Sequence, residues 1–209
     1  MTFYMVYAAD PPPLQDFCVG LNDPNFPVTI NGLFCKNPKD VTSTDFLFQG
    51  FNTIGNTNNR FGSAPSMVNA TRFPALNTLG ISMGRVDYAP GGLNPPHFHP
   101  RAAEMFTVLE GTLFVGFISS NLPNETNRLF STVLNKGDIF VIPQSLIHFQ
   151  LNIGGTHAVH NSAFGSQNPG RIGVADSIFG SNPDIPDDVL TTTFQVNERV
   201  IQAIRSQFG

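Results

Sequence analysis

The stretch Gly91-Gly92-Leu93-Asn94-Pro95-Pro96-His97-Phe98-His99-Pro100-Arg101-Ala102-Ala103-Glu104 restricts the fold of this chain more than any other. Two histidines at i and i+2 share one face of an extended strand. Glu104 lies an odd step past His99 and falls on the other face unless the chain turns between them, a turn that Pro100-Arg101 supplies. His148 lies far down the chain in Ile142-Pro143-Gln144-Ser145-Leu146-Ile147-His148, a second short strand entered through a proline turn. Three imidazoles and one carboxylate can then converge on a single cation. The chain has only 5 histidines, and three of them fall into this pattern.

The rest reads as a container for that cluster. With 209 residues, 41% of them hydrophobic, the chain can bury one substantial core and fits one domain. Few charges (12%) beside 19 Gly, 17 Pro and 20 Phe suit an all-β fold with many turns. From Asp45 to Phe179 short apolar runs alternate with turn residues, and three places carry hairpin signals: Glu110-Gly111, Asn135-Lys136-Gly137-Asp138 and Gly154-Gly155. Lys136-Gly137-Asp138 also matches an adhesion-like tripeptide, and is read here as a tight turn. The tail changes period: Pro186-Asp187-Asp188 begins one helix, and Asn197 caps a second that carries Val200, Ile201, Ile204 and Phe208 on one face. A net charge of −4 argues against nucleic acid as a partner, and no run is long enough to span a bilayer.

Two spacings carry a family resemblance. Gly91-x5-His97-x-His99-x4-Glu104-x6-Gly111 resembles the first cupin motif, and Gly137-x5-Pro143-x-Ser145-x2-His148-x3-Asn152 the second. Pro95-Pro96-His97-Phe98-His99-Pro100-Arg101-Ala102 is narrower and resembles the germin box of plant germins and germin-like proteins. Leu14-Gln15-Asp16-Phe17-Cys18 and Ser166-Gln167-Asn168-Pro169-Gly170 extend the likeness over nearly the whole chain. Ser145 departs from it, standing where the second motif usually has Gly; if that turn needs positive φ, Ser costs on the order of 1 kcal/mol there.

The resemblance implies a single-domain cupin jelly-roll barrel over residues 45–180, an N-terminal arm over 10–44, a helical extension over 181–209, and a signal remnant or extraneous residues over 1–9. It implies His97, His99, Glu104 and His148 as ligands of manganese; by coordination alone, an octahedral shell with two open positions suits Mn(II) or Fe(II) better than closed tetrahedral zinc and does not choose between them. An even cysteine count in such a chain favours a Cys18–Cys35 disulfide, which stabilises a loop of this size by about 3 kcal/mol. Asn69-Ala70-Thr71 and Asn124-Glu125-Thr126 match the N-glycosylation triplet.

Further implications are a secreted protein of the plant apoplast or cell wall, and a homo-hexamer built as a trimer of dimers through the helices. For function, the first expectation is a manganese superoxide dismutase releasing hydrogen peroxide from a small anionic, oxygen-derived substrate. The alternatives are an oxalate oxidase, an oxidase of an unidentified organic substrate, and a non-enzymatic storage or small-ligand-binding cupin. In oxalate oxidases one substrate-contacting asparagine matches Asn94, but the second falls on Gly84. His157, His160 and Asn161 put polar groups where the family reads apolar; His157 and His160 face opposite sides of a strand, and His160 or Asn161 is a candidate for lining the cavity.

Overall fold

The computed structural model describes residues 17–21, 32–123 and 126–208. Residues 1–9 and Asn124 lie outside the described residues. The short apolar runs form ten strands: β1 (Ser63–Val68), β2 (Ser82–Tyr88), β3 (Leu93–Phe98), β4 (Glu104–Glu110), β5 (Thr112–Ile118), β6 (Leu129–Asn135), β7 (Ile139–Ile142), β8 (His148–Asn152), β9 (Ala158–Phe164) and β10 (Ile172–Gly173). They make two antiparallel sheets, ordered β1-β2-β9-β4-β7 and β10-β3-β8-β5-β6, which face each other as a jelly-roll barrel.

All three hairpin signals turn out to be corners between the sheets. β4 and β5 flank Gly111 but pair with different partners, as do β6 and β7 around Gly137 and β8 and β9 around Gly154-Gly155. The physical reason is burial: each strand has an apolar inner face, and successive strands bury it from opposite sides of one core. Gly111 serves its corner with φ +79° and no side chain, since a Cβ there would lie 2.5 Å from that of Ala158. Gly91-Gly92 works similarly before β3: Gly91 has φ +72°, and a Cβ on Gly92 would meet the Gly62 carbonyl oxygen.

Alternation decides what points inward. Val86, Tyr88, Phe106, Val108, Leu113, Val115, Leu134, Ile142 and Ala158 form the apolar core, with Phe117 and Phe140 against it. In β2 the sense is opposite to the simplest reading of its pattern: Leu79, Ile81 and Met83 are exposed, while Gly80, Ser82 and Gly84 are buried. Small residues here leave space inside the barrel. Arg85 and Asp87, on the outward face of β2, are buried by the preceding segment, pair through two hydrogen bonds of 2.9 and 2.6 Å, and Asp87 also accepts from the Gly55 N–H.

The termini are tied to this barrel. Cys18 and Cys35 form a disulfide with Cα atoms 4.8 Å apart. Buried Asn77 holds the arm by accepting from the Leu33 N–H and donating to the Leu33 carbonyl, both at 2.9 Å. After β10 come α1 (Val174–Phe179), α2 (Asp187–Phe194) and α3 (Glu198–Arg205). Asn197 caps α3 by accepting from the Val200 N–H, and Ile201 is fully buried. Phe208 lies beyond the end of α3, its ring 6.2 Å from that of Phe179. Arg205 clamps the two helices through Asp187, and Arg60 anchors the tail by donating to the Gln207 carbonyl at 2.6 Å. Among the described residues no helix is long and apolar enough to cross a membrane.

Ser145 meets the condition set by its motif: its φ is +64°. The turn docks the second motif on the first, because the Ser145 N–H donates to the His99 carbonyl at 3.1 Å and its hydroxyl to the Pro100 carbonyl at 3.3 Å. Replacing Ser145 by Gly removes the left-handed strain and loses only the exposed hydroxyl bond. Denaturant unfolding of Ser145→Gly is expected to show a gain of up to about 1 kcal/mol, with metal content unchanged.

Candidate metal centre

The ends of β3, β4, β8 and β9 meet at one pole of the barrel. His97 is paired in register with His148 across β3 and β8, with ring centroids 4.2 Å apart. His99 follows β3 directly, and the Pro100-Arg101 turn carries the chain to the opposite sheet, where Glu104 opens β4. The turn is held by the Arg101 N–H to the Pro169 carbonyl and the Arg101 Nε–H to the Asn168 carbonyl. The odd spacing of His99 and Glu104 thus becomes a convergence, because the two residues belong to facing sheets.

Each imidazole is oriented by its backbone. Nδ1 of His97 lies 2.9 Å from the Pro95 carbonyl, Nδ1 of His99 2.5 Å from the Gly170 carbonyl, and Nδ1 of His148 2.8 Å from the Leu146 carbonyl. A carbonyl oxygen can only accept, so each Nδ1 carries the proton and each Nε2 of a neutral ring is left with a lone pair. The ligand atoms of the three histidines lie within 4.8 Å of one another, and all three residues are buried. Glu104 Oε2 stands 3.1 Å from His148 Nε2 and 3.5 Å from His99 Nε2. Glu104 Oε2 and His148 Nε2 are both buried without a hydrogen-bond partner. Acceptors facing acceptors out of water are stable only with a cation between them. The residues therefore fit a metal ion, and His97, His99, Glu104 and His148 would hold it.

Electrostatics keep the donors available. Burial, aided by His148 and Arg171, pushes the His97 pKa down to about 2. Burial lowers His99 as well, against the opposing pull of Glu104. For Glu104 burial acts upward, but the neighbouring His148, the charge of His160 and the Ser162 hydroxyl hold its carboxyl at about 2. His97 and His99 are thereby held toward the neutral form and Glu104 toward the ionised one, the states that metal binding requires.

A cavity of about 380 Å³ opens over this pole, walled by Gly84, Asn94, His160, Ser162, Phe164 and Arg171 among others. Asn94 is buried and engaged on both sides: its Nδ2 donates to Gln150 Oε1 at 2.8 Å, and its Oδ1 accepts from Arg171 at 3.3 Å. A Cβ on Gly84 would lie 3.1 Å from the Phe164 ring. Of the three unusual residues near β9, His160 lines the cavity and lies 3.2 Å from the Tyr88 hydroxyl. Asn161 points the other way, in register with Arg85 and Thr107. His157 sits outside the barrel, 3.5 Å from Asp87. Asn69 is half-buried at the cavity rim, its Oδ1 accepting from the Arg72 N–H.

Ser162, Gln150 and Arg171 did not emerge from the sequence. Ser162 donates to Glu104 Oε1 at 2.5 Å and so turns Oε2 toward the histidines. Its signal was the shared face with His160 two residues earlier, just as Gln150 shares a face with His148. Arg171 had no such signal.

An antiparallel jelly roll with three histidines and a glutamate converging at one pole defines a metal-binding cupin. Residues 49–202 match the Cupin family. The chain is 52% identical to a germin-like protein of Mesembryanthemum crystallinum over 98% of its own length and 92% of that protein's. It is 53% identical to germin-like protein subfamily 1 member 7 of Arabidopsis thaliana, over 96% of this chain and 86% of that one. Among solved structures, a recombinant oxalate oxidase in complex with glycolate superposes with a TM-score of 0.91 at 43% identity, covering 96% of this chain and 98% of the other. The chain belongs to the germin-like proteins of the cupin family.

Two outcomes follow from this geometry. Ser162→Ala frees Glu104 Oε1, and chelator competition is expected to show the affinity for a divalent metal ion reduced roughly tenfold. His160 is fully buried and burial lowers its pKa from 6.5 to about 4, against the upward pull of Glu104. Between those values the unfolded chain holds a proton that the folded one lacks, so stability rises with pH through the window and is lost as pH falls from 6.5 toward 4. His160→Gln is expected to make that acid-side loss shallower by up to about 3 kcal/mol, read from unfolding curves across the pH series.

Proposed function

We propose that this chain is a secreted manganese-dependent oxidoreductase that dismutates superoxide, two superoxide ions and two protons giving dioxygen and hydrogen peroxide. The observation that carries the reading is the convergence of three inward lone pairs and one carboxylate beneath an open cavity. Manganese, bound there, supplies reversible one-electron chemistry. The protein's part is to hold the ion with His97, His99, Glu104 and His148, to fix the carboxylate through Ser162, and to keep bulk water from the buried donors. A disulfide suits an oxidising compartment outside the cell, and its presence supports secretion.

Oxalate oxidation is the reading favoured by the structural neighbour, and the cavity argues against it here. Gly84 offers no side-chain donor, and one of the two N–H donors of the Asn94 amide is held by Gln150. A bound oxalate would lose hydrogen bonds worth about 1.5–3 kcal/mol each, or roughly ten- to a hundredfold in rate for each contact made in the transition state. Pure storage leaves four buried, convergent donors without a role.

Assembly as a hexamer belongs to the same proposal. Its support is an apolar stripe across the outer face of the first sheet, where exposed Met83, Ala163, Met105 and Val141 are successive cross-strand neighbours, together with exposed Val189, Phe194 and Val200 on the helices. The test is one preparation, its manganese quantified and its mass measured by light scattering. It is expected to be hexameric, to consume superoxide, and to release little or no peroxide from oxalate at acidic and neutral pH. Robust oxalate turnover without superoxide consumption would sink the assignment.

A further inference from the structure

Among the described residues two arginines line the cavity: Arg85 is paired with Asp87, whereas Arg171 has a charge that neither an acidic partner nor the metal site explains. It follows Gly170, whose carbonyl orients His99, so the turn that aims a ligand also launches a guanidinium over the same cavity. The residue is exposed over much of its surface, yet one of its nitrogens reaches buried Asn94 Oδ1 at 3.3 Å. Asn94 is in turn held by Gln150, so the acceptor that positions Arg171 is itself rigid.

Among the described residues no carboxylate lies within ion-pair distance of Arg171. Asp176, the acid that acts on it most strongly, pairs with Arg60 at 3.6 Å. A guanidinium carries five N–H donors in a planar fork, and the contact to Asn94 uses one. Partial burial lowers the Arg171 pKa, against the upward pull of Asp176 and Tyr88. The whole chain carries a net charge of −4, so attraction of an anion comes from local positive charge, to which Arg171 contributes, rather than from the protein's overall field.

We propose that Arg171 is the anion receptor of this cavity: its guanidinium captures a small monoanion beside Asn94 and holds it over the histidine pole. Superoxide is one such anion and a small carboxylate another; the chemistry they share is a compact negative charge with oxygen acceptors matching the fork. The receptor role rests on the cavity geometry, and its bearing on turnover rests on the superoxide reading above.

Sodium formate is the probe. It is titrated by calorimetry into the full-length, manganese-quantified wild-type protein and into Arg171→Gln and Arg171→Lys. The expected result is a dissociation constant at least roughly tenfold higher for Arg171→Gln, a smaller rise for Arg171→Lys, and manganese content and melting temperature unchanged in both. An unchanged constant in Arg171→Gln overturns the proposal, as does a wild-type protein that takes up no formate. Superoxide consumption by the same samples separates the two readings. Arg171-dependent formate binding without superoxide consumption removes the dismutase reading and leaves the receptor standing. Superoxide consumption that Arg171→Gln retains in full, with formate affinity intact, removes the receptor alone.

Discussion

Three N–H to carbonyl hydrogen bonds decide what this protein can hold. Each ligand histidine gives its Nδ1 proton to a backbone oxygen, of Pro95, Gly170 and Leu146 respectively. The tautomer follows from the chemistry of the acceptor, and the inward lone pair follows from the tautomer. Because the acceptors are backbone atoms, of Pro95 within β3 and of Gly170 and Leu146 in connecting segments, the orientation is built into the main chain and does not depend on a mobile partner side chain. Glu104 is the exception, aimed by the Ser162 hydroxyl from the neighbouring strand.

The barrel is divided along its length by what its inward residues can tolerate. At one pole Val108, Leu113, Val115, Leu134 and Ala158 pack as an ordinary apolar core. At the other, His97, His99, Glu104, His148 and Ser162 are equally buried but polar, each paired or facing another donor. Such a pole costs desolvation energy, and its unpaired Glu104 Oε2 and His148 Nε2 mark where a cation offsets that cost. Small residues on β2, Gly84 above all, leave the space that becomes the cavity.

The cavity wall decides what a ligand of this pole can meet. Asn94 lines it, with one amide N–H held by Gln150 and its oxygen by Arg171. A side chain's identity alone therefore says little about its availability to a substrate. What remains open to a ligand is the pole itself and a guanidinium without an acidic partner.

The candidate pair His97 and His99 was legible in sequence because its spacing is local: the two share a face by alternation, and the proline turns around them announce their own geometry, whereas distant His148 was tied to them by the resemblance of its motif. The helical tail was legible for the same reason, with Asn197 and Pro186 marking boundaries by their own chemistry. The short connections at Gly111, Gly137 and Gly154-Gly155 also announced turns, but not whether each turn closes a hairpin or crosses between sheets. That choice depends on which distant strand buries the next inner face, and only the packed barrel decides it. Ser162, Gln150 and Arg171 were hidden for the same reason: their partners lie 58, 56 and 77 residues away in the chain. Sequence by itself determined which residues could be ligands and where the chain turns, since both are properties of neighbouring residues. The tertiary structure decided which acceptors orient those ligands, what space lies above them and which charge faces it, since each of these requires segments that meet only when both sheets close on one core.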